Sequence, residues 1–424
     1  MSFKIALVGC GGMGRRHAHG YIELRKYFDI VSMAAVCDLH ADVAATVADE
    51  IGDATGDCPD IYTDFDEMLA TADLDGVAIV TSTPMHHIFA IKVMEAGLHV
   101  ITEKPMGLTL KACRLMRDAS RSTGKVMAVA ENYRRDPMNR LTRALIDAGA
   151  IGTPYFALDI NVGSSDSAVM HSTVWRAKKE QAGGMPLDAG VHNADMLLYL
   201  LGRADSVFAE TSTFEPNRTL RPMSEVAPGL AGMYNHRKED GYSTGDMVEQ
   251  TAVDSAFGVI RFSSGAIGQL MMTDSSHGQS LDVSTISGSG GTMYRPRSRS
   301  GESPRIVRND GSEITGDALL DLVPDFQLDD ITSTLWNGAR RISSYDMDFR
   351  DIDSKILAYE YLDMVDAAES GGQPEVGPQE GMDALALAYA LMESGVDGAP
   401  VSVEDVAEGR TSAFQDEIDY EMGI

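Results

Sequence analysis

The stretch Lys4–Ile22, KIALVGCGGMGRRHAHGYI, decides how the first part of the chain folds. Its apolar run, Ile5 to Val8, has the density of a strand buried on both faces. Glycines follow at positions 9, 11 and 14 in the spacing G-x-G-x-x-G, and a helical stretch continues to about Phe28. That spacing alone is a weak signal; between a strand and a helix it carries more. Gly9 permits the tight turn, Gly11 lets the backbone approach a pyrophosphate, and Gly14 allows close helix–strand packing. Together with Gly12 and Met13 they begin a helix whose first N–H groups and positive dipole end suit a phosphate.

Working outward, short apolar runs alternate with helical segments. VSMAAVCD is a second buried strand ending at Asp38, DGVAIVTSTP a third, LHVITEKP a fourth and KVMAVAEN a fifth. Helices lie between them, one closing at Gly97, a good C-terminal cap residue. This alternation implies a parallel sheet covered on both faces. After Arg135 the pattern changes: the segments between about Ser206 and Pro296 alternate apolar and polar residues, with SSGA and SGSGG turns between them, as antiparallel strands do. The fold class is α/β, with a dinucleotide-binding Rossmann domain, residues 1–134, and an α+β domain with an open, mainly antiparallel sheet, residues 135–424. Residues 297–350 have weak periodicity and read as an insertion or long loop, followed by helices from roughly Asp351 to Glu369 and Gln379 to Ser394.

Ligands of open parallel sheets bind beyond the carboxyl ends of the strands. Asp38, 24 residues past Gly14, sits where a carboxylate accepts the adenosine ribose hydroxyls. It would repel a 2′-phosphate, and no arginine follows it, since the next residues are Leu39 and His40; NAD is favoured over NADP. The other cofactor-side candidates are Thr81, Ser82, Thr83, Pro84, His87, Glu103, Lys104 and Asn132, at or just past strand ends. Lys104, set ahead of Pro105 in TEKP, points toward the nicotinamide crevice. Partial desolvation there disfavours its ammonium form, which suits a proton-transfer group.

In GGMPLDAGVHNADMLLYLLG, Asp188, His192 and Asp195 fall at i, i+4 and i+7, on one face of a helix whose Met196, Leu197, Leu198, Leu200 and Leu201 are apolar. By themselves they also fit capping plus a satisfied core histidine. On the substrate side, Tyr133, Arg134, His171, Trp175 and Arg176 are candidates, an indole being suited to the apolar face of a pyranose; each also fits plain packing. His17 and His19 read as lying on a helix flank, and with His86 and His87 they tempt a metal assignment, but no metal is required.

The glycine fingerprint, TPMHHIFAIKVMEAGLHVITEKP, YRRDPMNRLTRALIDAGAIGTPYF and GGMPLDAGVHNAD together resemble the Gfo/Idh/MocA oxidoreductases over most of the chain, departing from their compact core beyond about residue 297. The resemblance implies an NAD-dependent dehydrogenase acting on a CH–OH group of a sugar, sugar derivative or inositol. It implies that Lys104 hydrogen-bonds the reacting hydroxyl, that Asp188 and His192 are the paired second-domain residues, and that the Lys104–Pro105 bond is cis. With His192 as base, Lys104 on the alkoxide and Asp188 positioning, hydride passes to the nicotinamide; Lys104 is the alternative proton acceptor. A homodimer or homotetramer through the C-terminal sheet is also implied. Two other functions stay open: a glycosidase or lyase-type relative using NAD transiently, excluded by net NADH production, and a non-catalytic sugar-sensing regulator, which has no need of a proton acceptor.

Composition bounds these readings. Cys10, Cys37, Cys58 and Cys113 form no C-x-x-C pair, so neither zinc site nor disulfide framework is suggested. No apolar run approaches the ~20 residues needed to span a bilayer, and LVGC lacks the apolar segment that precedes a lipoprotein cleavage box, so a cytoplasmic protein is expected. With 64 acidic against 35 basic residues, only 10 of them lysine, the formal net charge is −29, which repels nucleic acid and anionic membranes. Such repulsion destabilises the compact state in dilute buffer, and salt shortens the screening length from about 30 Å at 0.01 M to about 3 Å at 1 M. Screening predicts a melting temperature that rises as NaCl goes from near zero to molar, as in a salt-tolerant enzyme. A flat or falling melting temperature instead marks an ordinary acidic protein whose charge serves solubility.

Overall fold

The apolar run that begins the chain is strand β1 (Phe3–Val8), buried at every position but Lys4. The computed structural model describes residues 2–164, 169–226, 228, 231–234 and 241–424. The chain divides into two compact units: Met1–Asn132 with Ala227–Gly241 and Arg350–Met382, and Tyr133–Val226 with Tyr242–Phe349 and Asp383–Ile424.

In the first unit β1 is joined by β2 (Val31–Cys37), β3 (Asp60–Tyr62), β4 (Gly76–Ile79), β5 (His99–Glu103) and β6 (Met127–Ala130) in the order β3-β2-β1-β4-β5-β6. All neighbours pair in parallel. The order reverses between β1 and β4, so loops after these two strands diverge and leave a crevice at the carboxyl edge. The helix Gly12–Arg25 packs on the long helix Phe349–Ser370, with Gly20 so near Leu357 that a Cβ there would lie 2.5 Å from its Cβ. Arg16 forms a two-pronged ion pair with Asp353, and Lys355 Nζ donates to Glu23 Oε1 at 2.6 Å. The region after Arg350 reaches the sheet too, Val129 N donating to Val376 O at 2.9 Å.

The second unit is built on nine strands: β7 (Pro154–Ser164), β8 (Ala204–Ser212), β11 (Ser255–Phe262), β12 (Ile267–Ser276), β13 (Leu281–Gly288), β14 (Gly291–Tyr294), β15 (Arg305–Arg308), β16 (Glu313–Thr315) and β17 (Val401–Ser402). Their order is β16-β15-β14-β13-β7-β12-β11-β8-β17. Every pairing is antiparallel except β12 with β7, which is parallel. A separate ribbon pairs β9 (Asn217–Thr219) with β10 (Met247–Glu249). One sheet face is covered by the part of the helix Pro378–Asp397 that belongs to this unit, where Ser394 Oγ accepts from Ala209 N at 2.9 Å. The other face leaves Phe208, Phe257, Val259 and Ile267 exposed on adjacent strands.

Two details differ from the sequence expectation. The segment 297–350 carries β15, β16 and the helix Asp330–Leu335; strands of three and four residues are too short to register as periodicity. The helix expected across Met185–Leu201 is two, Met185–Asp188 and Gly190–Leu201, joined at Ala189. His192 N bonds the carbonyl three residues back, Ala189 O, at 3.1 Å, a tighter turn than an α-helix, so Asp188 and His192 do not continue one regular face.

The glycine loop yields a test. Gly14 lies so close to the Gly9 carbonyl that a Cβ would overlap it, whereas a Cβ on Gly11 meets nothing within 4 Å. Gly14→Ala should cost about 1–3 kcal/mol of unfolding free energy by overpacking. Gly11→Ala should cost less than about 1 kcal/mol, the scale of a changed N-cap, yet weaken dinucleotide binding. Denaturant midpoints and NAD titrations check this; equal destabilisation by both would overturn it.

Candidate active site

In the first unit every cofactor-side candidate lies at one edge of the parallel sheet, because each follows the carboxyl end of a strand. Gly9, Gly11, Gly12, Met13 and Gly14 follow β1, Asp38 follows β2, Thr81 to Pro84 and His87 follow β4, Glu103 ends β5 with Lys104 just after it, and Asn132 follows β6. Gly9 has φ +91°, and a Cβ there would sit 2.5 Å from Val80 O, so a side chain is excluded. The helix Gly12–Arg25 has neither a side-chain cap nor an acidic residue in its first turn. Asp38 is held by two backbone donors, Cys10 N to Oδ2 at 2.8 Å and His40 N to Oδ1 at 2.9 Å. A carboxylate has about four acceptor sites, so this fixes the group without exhausting it. Asn132 is 4% exposed and its Oδ1 accepts no hydrogen bond, a buried acceptor at the sheet edge. Helix N-terminus, open glycine face, fixed carboxylate and unfilled acceptor match the phosphate, ribose and amide groups of a dinucleotide.

Glu103 is buried and faces inward. Its Oε1 lies 3.0 Å from His17 Nε2 and its Oε2 accepts from Lys104 N at 2.9 Å. His17 Nδ1 is 3.2 Å from Tyr361 Oη. Burial alone would raise the Glu103 pKa, but the His17 hydrogen bond and the charges of His17 and Lys104 outweigh it and hold the carboxyl below its ordinary range. His17 is 1% exposed, not on a helix flank as the sequence suggested; only the fold brings Glu103 and Tyr361 to it. His86, also buried, sets its two ring nitrogens 3.0 Å from Pro105 O and 3.1 Å from Thr81 O, bracing the two loops that follow β4 and β5. Burial lowers its pKa. The Lys104–Pro105 peptide is cis. Among the described residues no group of three or more His, Cys, Asp or Glu side chains is placed to hold a metal ion.

In the second unit the polar groups of GGMPLDAGVHNAD have different partners. Arg176 Nε donates to Asp188 Oδ2 at 2.7 Å and Arg176 Nη1 to Thr173 Oγ1 at 3.1 Å. The same guanidinium lies 4.3 Å from the centroid of Trp175, so an indole face suited to a pyranose is engaged by a cation. His192 stacks on Tyr133 with centroids 4.2 Å apart and planes within 6°. Asp195 is fully buried and receives both prongs of Arg134, at 2.7 and 2.6 Å, which makes that pair a packing element. His171 is placed apart from these, its Nε2 4.0 Å from Asp274 Oδ2. Sequence reasoning missed Arg299, whose guanidinium lies 5.1 Å from the Tyr133 ring centroid and whose N–H donates to Asp136 Oδ2 at 2.5 Å. It sits in the weakly periodic segment, where no pattern marks it.

Two family models match most of the chain. The family described as oxidoreductase family, NAD-binding Rossmann fold (GFO_IDH_MocA) matches residues 3–131, and the GFO/IDH/MocA C-terminal domain matches residues 139–294. Levoglucosan dehydrogenase of Pseudarthrobacter phenanthrenivorans is 30% identical over 285 residues, 66% of this chain and 69% of that protein. Myo-inositol 2-dehydrogenase of Thermotoga maritima is 24% identical over 407 residues, 95% of this chain and 99% of that one. A solved structure of levoglucosan dehydrogenase with NADH and L-sorbose shares the fold with a TM-score of 0.74 at 24% identity, covering 96% of this chain and 100% of that one. The chain therefore belongs to the Gfo/Idh/MocA oxidoreductases, whose N-terminal domain is an NAD-binding Rossmann fold.

Proposed function

We propose that this chain is an NAD-dependent dehydrogenase that oxidises a hydroxyl of a sugar, sugar derivative or inositol, the substrates named for its levoglucosan and inositol dehydrogenase relatives. The observation that carries this is the carboxyl edge of the first unit, where an open glycine loop, a fixed Asp38 and Lys104 stand together. NAD, when bound, supplies the hydride acceptor.

The chain's own residues divide the remaining work. Lys104 is anchored at its backbone by Glu103, and its side chain donates to the substrate oxygen, a bond that strengthens as alkoxide charge develops. His192, its ring plane set by the Tyr133 stack, takes the hydroxyl proton on a ring nitrogen. Asp188 is oriented by Arg176 and accepts from a substrate hydroxyl, fixing the reacting carbon. We propose that the exposed apolar face carrying Phe208, Phe257, Val259 and Ile267 joins copies of the chain into a homodimer or homotetramer. A reducing, cytoplasmic setting is supported by four free thiols, three of them buried. Among the described residues no helix is long and apolar enough to cross a membrane.

A screen of monosaccharides, anhydrosugars and inositols with NAD, read as NADH absorbance, tests the reaction. Saturable NADH formation with at least one is expected; none from any would overturn the reading. Lys104→Met should lower kcat by on the order of 10²-fold or more, the scale of a proton-transfer group, with NAD affinity little changed. Near-normal turnover would remove Lys104 from the chemistry. Wild type should prefer NAD, and Asp38→Ser with Leu39→Arg should move the kcat/KM ratio toward NADP by removing repulsion and adding a phosphate partner. Leu39 is 87% exposed, so the new guanidinium displaces no packing. A wild type preferring NADP would show the role of Asp38 to be wrong.

A further inference from the structure

Arg299 holds a backbone conformation that an arginine does not favour. Its φ is +64°, in the left-handed region, where a residue with a side chain is strained. Such strain persists only where the surroundings over-determine it, and it collects at functional sites. Here the surroundings are specific. Asp136, 1% exposed, accepts from Arg299 N at 2.5 Å, from Met138 N at 2.9 Å and from Tyr345 Oη at 3.0 Å. Tyr345 N donates to Gly301 O at 2.9 Å. Asn139 Nδ2 donates to Ser298 Oγ at 3.0 Å and to Tyr133 O at 2.8 Å. The turn around Arg299 is thus fastened to the loop that carries Tyr133.

This fastening delivers a guanidinium to two aromatic rings. It lies over Tyr133, 5.1 Å from the ring centroid, and over Phe349, 5.0 Å from that centroid. A guanidinium stacks on aromatic faces and is attracted by the ring quadrupole. The same Tyr133 ring carries His192, with centroids 4.2 Å apart and planes within 6°. The imidazole covers one face of the phenol, so the guanidinium is left the other. A ring braced on both faces presents one fixed plane to the histidine stacked on it.

Fastening the turn does not by itself call for arginine. The tie to Asp136 is made by the backbone N–H of residue 299, which every residue but proline supplies. Glycine would supply it without strain at this φ. The arginine is explained by where its side chain goes. A reacting group misplaced by about 1 Å loses on the order of 10²-fold in rate, so a clamp on the ring that orients a proton acceptor outweighs a strained turn.

We propose that Arg299 is a positioning residue for the oxidation: it clamps Tyr133 and thereby sets the plane of the His192 imidazole that receives the hydroxyl proton, so that the weakly periodic segment 297–350 completes the active site. The proposal rests on the dehydrogenase reading for the role of His192.

Two variants test it. Arg299→Gly keeps the backbone tie and relieves the strained φ, so the fold is retained; Arg299→Leu keeps an extended side chain without the cation. Two readouts are taken on the NAD-loaded protein. One is steady-state kinetics with the sugars and inositols of the screen above. The other is the ring Cε1–H resonance of His192 in protein carrying isotope-labelled histidine, identified by its absence in His192→Gln; the stacked Tyr133 ring displaces it upfield. Both variants should lower kcat by about tenfold or more, leave the KM for NAD within about twofold, and move the His192 resonance downfield toward that of an exposed histidine. Normal turnover in both variants overturns the proposal. So does a His192 resonance that neither variant moves, whatever happens to turnover. If the wild type reduces NAD with none of the sugars, the dehydrogenase reading falls and the resonance alone judges the clamp: a shift keeps it and no shift ends it.

Discussion

A carboxylate buried at the end of β5 organises the first unit. Glu103 joins the helix Gly12–Arg25 through His17, holds the backbone of Lys104, and through His17 reaches Tyr361 on the helix Phe349–Ser370. Leaving such a group unpaired in the interior costs on the order of 3–5 kcal/mol, so its partners are as constrained as the group itself. The helix that follows the glycine loop and the backbone of Lys104 are thus tied to one carboxylate. His86 adds a second brace from the Thr81 loop to Pro105. Groups held this way need little reorganisation when a ligand arrives.

The second unit separates two uses of the same ion-pair chemistry. Asp195 and Arg134 form a forked pair whose carboxylate is fully buried. Asp188 and Arg176 form a single-pronged pair in which both side chains keep about an eighth of their surface exposed, 12% and 13%. The Arg176 bond fixes the direction of that carboxylate. The same contrast applies to the aromatic residues, since Tyr133 lends its face to His192 whereas Trp175 lends one to Arg176. In this unit a guanidinium sets the direction of Asp188 and an aromatic ring the plane of His192.

The first unit was largely legible in the sequence because a parallel sheet buries both strand faces. Runs such as VAIV have no polar interruption, and glycine with Asp38 punctuates the ends. Lys104 and its proline were visible for the same reason, as an abrupt polar end to an apolar run. His17 was not, because its partners lie 86 and 344 residues away and helical periodicity cannot say what faces it. The junction at Ala189 was hidden as well. It lies just before Gly190, where a Cβ would sit 2.8 Å from Met272 Sδ, a close approach that the local sequence does not show. Arg218, 3.9 Å from Asp274, escaped notice because long-range ion pairs leave no local pattern.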